Sequence, residues 1–245
     1  MTMELRVICH TGAFPFHDFL TMQFLLTQWQ PRLLALASSG LGDDSAHDIN
    51  HLQRVWRNAS ILLQDYPQAD ALVVMAACYL HDLVNLPKNH AERHLASRQA
   101  AALACRRLAE LGFPEEKLAA VAHAIETHSF SANLTPTTIE AQIVQDADRI
   151  DALGAVGLAR MFYTAARMDS ALAHGSDPLA LHRPLDDKAY SLDHIVTKLD
   201  KLPGKMQTPA GRVLAEQRLR ILLDFRATFA EEWAPAQPAP DVNEQ

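Results

Sequence analysis

The sequence predicts an all-α, single-domain helical bundle of about nine helices. Three observations predict it. Ala (39 residues) and Leu (34) dominate the 245-residue chain, whereas Val (11) and Gly (9) are scarce. Ala and Leu lose little side-chain freedom in a helix, and β-branched residues lose more. Apolar positions recur at helical spacing between Pro and Gly breaks, and no strand pair with turn chemistry interrupts them. With 49% apolar residues, the chain can build a packed core.

Residues 1–16 have no clear period and contain Gly12 and Pro15. The predicted organisation is an N-terminal segment over 1–21, either an arm or an upstream extension with the native start nearer Met22, then one domain over 22–233 and a disordered tail over 234–245. Residues 17–37 are periodic and stop at the flexible stretch Ser38-Ser39-Gly40-Leu41-Gly42. Ser45 followed by Asp48 has capping-box spacing, which predicts a helix from Ala46 to about Asp65. Pro67 interrupts, and a strongly apolar helix follows from Asp70 to Val84, ended by Pro87. Asn89 is placed to cap a helix reaching Leu111, before Gly112 and Pro114. Further helices are predicted over 115–128, 137–152, 155–173, 187–201 and 208–233, with a loop from His174 to Pro184. Gly154 and Gly157 mark a bend or a close helix approach.

Charge and cysteines narrow the function classes. Twenty-two basic against 29 acidic residues give −7, which argues against a nucleic-acid polymer or an anionic membrane as partner. Cys9, Cys78 and Cys105 are far apart and form no CxxC, so neither a dense disulfide framework nor a thiolate zinc site is expected. The longest apolar run, Ala71–Leu80, has ten residues, half of the ~20 a membrane span needs. No export signal is evident, and a reducing, cytoplasmic setting is the expectation.

Twelve histidines remain to be explained. His47 and His51 share a helix face, as do His90 and His94. His81-Asp82 closes the apolar helix, His123 and His128 end another, and Asp146, Asp148 and Asp151 crowd a third. Imidazole and carboxylate together suit Mn, Mg, Fe, Co, Ni or Zn. Any one such histidine is more often an ordinary core or surface residue. Only the ordered combination is informative.

That combination resembles the HD superfamily of metal-dependent phosphohydrolases. His51-Leu52-Gln53-Arg54-Val55 is similar to its first motif, HxxRV. His81-Asp82 follows 30 residues later, and Asp148 lies 66 residues beyond Asp82, within Asp146-Ala147-Asp148-Arg149-Ile150-Asp151. The strings HDxxH, ACYLHD, QDADRIDALGAVGLAR, HRPLDDK and KLPGKMQT resemble one bacterial subfamily of HD-domain hydrolases, over about residues 25–230.

The resemblance implies a divalent metal, Mn or Mg foremost, held by His51, His81, Asp82 and Asp148. Asp146 competes for the last place. On a helix it points about 200° away from Asp148, so the two are not expected to share one ion. Arg149 after Asp148 matches the family motif, leaving Asp146 to orient a ligand, and Arg149 and Asp151 are candidates for substrate contact or for orienting a ligand. Lys88 and Arg93 are candidates for phosphate binding. His90 resembles a histidine assigned to acid catalysis or phosphate contact in HD-type deoxynucleotide triphosphohydrolases. His47, Asp48 and His128 are candidate substrate contacts, His123 is read as structural, and Arg183 and Lys188 are candidate phosphate contacts from a loop. Asn85 stands where alarmone hydrolases of the superfamily carry a Glu that activates water. An amide cannot take a proton, so that reaction is disfavoured. No GYP string occurs, although His123 and His128 leave a second metal open.

The expected activity is hydrolysis of a small phosphorylated molecule, foremost nucleoside or deoxynucleoside triphosphate pyrophosphohydrolysis. The alternatives are a monophosphate phosphatase, a cyclic phosphodiesterase and a non-catalytic nucleotide-binding signalling module.

Overall fold

In a computed structural model, the described residues are 16–38, 49–84, 86, 92–129 and 132–233. They form nine α-helices and short 3₁₀ turns, with one isolated parallel bridge, Ala171 to Tyr190. The centre of the fold is α3 (Ala71–Leu80), in which Leu72 through Leu80 are all buried. A helix apolar on every side must be covered on every side. Here α1 (Phe16–Ser38), α2 (Ile49–Leu62), α5 (Leu118–His128) and α6 (Ile139–Ile150) pack around it. Each neighbour offers one apolar stripe: Trp29, Leu33 and Ala37 from α1, and Leu52, Val55, Ala59 and Leu62 from α2. Asp70 starts α3 by accepting from Leu72 N (3.0 Å) and Val73 N (3.2 Å), and Lys117 pairs with its carboxylate.

Beyond this group, α4 (Ala96–Glu110) lies along α5, joined through a turn where Gly112 takes φ +76°. Thr138 caps α6 by accepting from Ala141 N. A tight corner leads into α7 (Gly154–Ala166), which packs with α9 (Pro209–Trp233) through Phe162, Phe225 and Phe229. The short α8 (Asp193–Thr197) and two 3₁₀ turns precede α9. Among the described residues, no helix is long and apolar enough to cross a membrane.

The first helix holds its expected bounds, Phe16–Ser38 against 17–37. Several other predicted boundaries move. The third stops at Leu80 rather than Val84, because the chain turns at His81 and Leu83 N donates to Leu80 O. The helix expected over 155–173 ends at Ala166. Asp169 adopts φ +56°, and Ser170 N closes back on Ala165 O. The helix expected over 187–201 shrinks to α8, because Asp186 accepts from Lys188 N and Ala189 N and holds that stretch as a turn. The capping box at Ser45, the Asn89 cap and the tail 234–245 lie outside the described residues.

Candidate metal centre

Helix ends bring the histidines and aspartates together. His51 sits in the first turn of α2, His81 and Asp82 just past the end of α3, His128 at the end of α5 and Asp148 in the last turn of α6. His51 Nε2 lies 3.4 Å from Asp148 Oδ1 and 3.7 Å from Asp82 Oδ2. His81 Nε2 lies 3.6 Å from Asp82 Oδ2 and 3.8 Å from Asp148 Oδ1. His128 Nε2 is 4.0 Å from Asp82 Oδ1. Two sets, His51–His81–Asp148 and His81–Asp82–His128, each keep their ligand atoms within 4.8 Å of one another. The ends of α3, α5 and α6 found here are carbonyl ends, whose partial negative charge favours a cation.

The far side of each imidazole explains its orientation. His81 Nδ1 lies 2.9 Å from Cys78 O, and His128 Nδ1 lies 2.6 Å from Ile125 O. His51 Nδ1 lies 2.8 Å from Asp151 Oδ2. Carbonyl and carboxylate oxygens only accept, so each Nδ1 carries the proton and donates. In the neutral rings, each Nε2 then presents a lone pair to the centre. His81 Nε2 is buried and has no hydrogen-bond partner among the described residues. A lone pair facing two carboxylates is unfavourable unless a cation lies between them, so this donor set fits a divalent metal. His51 and His81 are sealed, whereas the side chains of Asp82 and Asp148 are 14% and 27% exposed, so solvent reaches the centre past the carboxylates.

Electrostatics separates the groups. Burial holds His81 down at about 4, so it is neutral. Burial also acts to lower His51, but hydrogen bonds to Asp148 and Asp151 win and lift it to about 9 without metal. Burial acts to raise Asp148, yet its hydrogen bond with His51 and the neighbouring imidazoles hold it well below the usual carboxylate range.

Asp151 is buried behind His51. It accepts from Arg54 Nε (2.8 Å) and Nη2 (3.1 Å) and from Arg160 Nη1 (2.5 Å). Arg54 stands three residues after His51 in the first motif, so a shared helix face was a readable signal. Arg160, on α7, ends the string QDADRIDALGAVGLAR, but nothing in the sequence paired it with Asp151. His128, read from sequence as a candidate substrate contact or a ligand to a second metal, lies beside His81, with ring centroids 4.7 Å apart.

Other expected site residues are engaged elsewhere. Asp146 is fully buried, and its carboxylate accepts from Gln207 N (2.8 Å), Thr208 N (2.8 Å) and Thr208 Oγ1 (2.7 Å). It ties α6 to the start of α9 and takes no part in the histidine cluster. Gly211 packs so closely on it that a Cβ would stand 2.3 Å from Asp146 Oδ2. Arg149 Nη1 donates to Lys205 O at 2.7 Å. Arg183, expected to face phosphate, forms a fork on buried Asp193 (2.6 and 2.8 Å) and lies over the Tyr190 ring. A guanidinium committed to a buried carboxylate is part of the loop's framework. Lys188 is exposed, and its backbone N–H donates to Asp186. Arg93 Nη1 donates to Leu86 O at 2.5 Å, bridging the segment after His81-Asp82. His123 Nε2 accepts from Thr137 N at 3.1 Å, a structural contact. His47, Asp48, Asn85, Lys88 and His90 lie outside the described residues.

Comparison with known proteins locates this arrangement. The HD domain family model matches residues 48–153, the interval that holds every member of the cluster. The uncharacterized protein YpgQ of Bacillus subtilis is 32% identical over 187 residues, spanning 75% of this chain and 82% of YpgQ. The crystal structure of Bacillus subtilis YpgQ in complex with ADP aligns with a TM-score of 0.63 and 26% identity, covering 89% of this chain and 98% of YpgQ's. An HD-superfamily hydrolase from Bacillus thuringiensis aligns with a TM-score of 0.64 and 28% identity, covering 84% and 97% of the two chains.

Proposed function

This chain belongs to the HD-domain superfamily, and from that premise we propose that it is a metal-dependent phosphohydrolase acting on a nucleotide. The favoured reaction is pyrophosphohydrolysis of a nucleoside or deoxynucleoside triphosphate. The observation that carries the reading is the cluster itself: three imidazoles with proton-bearing Nδ1 atoms, turned through Nε2 toward two carboxylates. His51, His81, Asp82 and Asp148 hold the cation, Mn or Mg foremost, and His128 stands ready as a further ligand. When bound, the cation polarises phosphoryl oxygen and lowers the pKa of its water.

The protein's own groups do the rest. Asp151 and the Cys78 carbonyl fix the rings of His51 and His81. Lys88 stabilises charge on phosphoryl oxygens, Arg93 keeps its hold on the Leu86 carbonyl, and His90 protonates the leaving phosphate oxygen. The binding of ADP by YpgQ supports a nucleotide as substrate class. Among the described residues Cys78 and Cys105 are free thiols, which fits a reducing compartment such as the cytoplasm.

The test is incubation with a nucleotide panel and Mn²⁺ or Mg²⁺, followed by phosphorus NMR. Pyrophosphate with a nucleoside monophosphate is expected. Orthophosphate, or opening of a cyclic diester, would reassign the reaction to a phosphatase or a phosphodiesterase. No turnover by metal-loaded protein would point to a binding module.

A further inference from the structure

The run from Asp146 to Arg160 does more than supply an aspartate. Asp151 ends α6 and is 1% exposed, yet four donor contacts converge on its carboxylate. Arg54 Nε reaches Oδ1, while Arg54 Nη2, Arg160 Nη1 and His51 Nδ1 all reach Oδ2. Arg160 arrives from α7, only nine residues further on, because the corner between the helices is unusually tight. Gly154 takes φ +74° there. A Cβ on Gly157 would stand 2.3 Å from the Ala152 carbonyl, so only glycine lets the first turn of α7 lie against the end of α6. That close approach brings the Arg160 side chain back over Asp151.

We propose that Arg160, acting with Arg54 through Asp151, is a positioning residue for the metal centre. The two guanidiniums pin the carboxylate, and the pinned carboxylate fixes the rotation of the His51 ring, so that Nε2 keeps its aim. The inference rests on the metal-binding reading above and extends it to α7, which lies outside the matched HD domain interval. Without Arg160, Oδ2 retains two donors and can swing, and the His51 ring swings with it. Partners of this kind typically change metal affinity 10–100-fold.

Charge alone makes the opposite prediction. Removing a cation from beside a cation site should tighten binding. The sign of the effect therefore separates positioning from simple electrostatics, and from a salt bridge that merely holds α7.

The experiment is an Mn²⁺ titration followed by electron paramagnetic resonance, on wild-type protein, Arg160→Gln, Arg160→Lys and Arg167→Gln. Thermal unfolding sets a temperature at which each variant is folded. Arg167 sits just past α7, with its guanidinium over the Tyr163 ring, and serves as the charge-loss control. Arg160→Gln should bind Mn²⁺ about 10-fold more weakly. Arg160→Lys should recover part of the loss, and Arg167→Gln should match wild type. Unchanged or tighter binding by folded Arg160→Gln overturns the proposal. Should Arg160→Gln fail to fold, Arg160→Lys decides: several-fold weaker binding supports the proposal and wild-type affinity overturns it. Wild-type protein that takes up no Mn²⁺ overturns the metal reading and this inference together.

Discussion

Asp146 and Asp148 are two residues apart and chemically alike, yet their surroundings assign them opposite jobs. Asp146→Asn should cost stability and spare metal binding, and Asp148→Asn should abolish metal binding. Asp146 accepts three hydrogen bonds, two of them from the backbone at Gln207 and Thr208. An asparagine turns one acceptor oxygen into a donor that faces another donor. A lost hydrogen bond to a charged group plus a stranded buried donor comes to about 3–5 kcal/mol. In a protein of this size that lowers Tm by about 10–15 °C. Mn²⁺ at 100 times its Kd should restore about 2.7 kcal/mol to any variant that still binds it. That corresponds to a rise of about 8 °C. The assay is thermal unfolding of both variants with and without Mn²⁺. Asp146→Asn should melt early and keep the Mn²⁺ increment, whereas Asp148→Asn should lose the increment. A folded Asp146→Asn with no increment, or Asp148→Asn with the full one, would refute the assignment.

Three further outcomes are expected. His81→Ala and Asp82→Ala should each lose Mn²⁺ uptake and nucleotide turnover together; full activity in either would place the site elsewhere. Without metal, His51 titrates near 9, above its ordinary 6.5, so its bound proton stabilises the fold fully below pH 6.5 and that contribution is lost as pH rises through 9. An imidazole binds a metal only in its neutral form, so Mn²⁺ uptake at pH 7.5 should release about one proton and affinity should rise about tenfold per pH unit up to about pH 9. Calorimetry in buffers of different ionisation enthalpy measures this, and heats independent of buffer would contradict it. Arg183→Ala breaks a buried pair with Asp193 and should cost about 3–5 kcal/mol. It should leave Mn²⁺ affinity and nucleotide KM unchanged, and a raised KM would return Arg183 to the substrate.

The helices and the inner ring of the site were legible because both are written locally. Ala71–Leu80 is apolar at every position, which demands a central helix, and the Pro and Gly breaks delimit its neighbours. His51, His81-Asp82 and Asp148 stand in motifs whose order can be read along the chain. The spans 167–173 and 187–192 were misjudged as helix because their shape comes from turns and side-chain contacts, as in the hold of Asp186 on Lys188 and Ala189 and the left-handed turn at Asp169. For the same reason Asp146 was hard to separate from Asp148. The partners of Asp146 lie 61 and 62 residues away, at Gln207 and Thr208. Arg54 pairs with Asp151 across 97 residues, and that pairing exists only once α2 and α6 are packed side by side.

The central claim is that this cluster holds a metal which the protein uses to cleave a nucleotide. Phosphorus NMR of a nucleoside triphosphate, with Mn²⁺-loaded, chelator-stripped and Asp148→Asn protein, tests it most directly. Pyrophosphate should form with the loaded protein alone and return when Mn²⁺ is restored to the stripped one. Cleavage that survives both metal removal and Asp148→Asn, or no cleavage by protein carrying stoichiometric Mn²⁺, would contradict it.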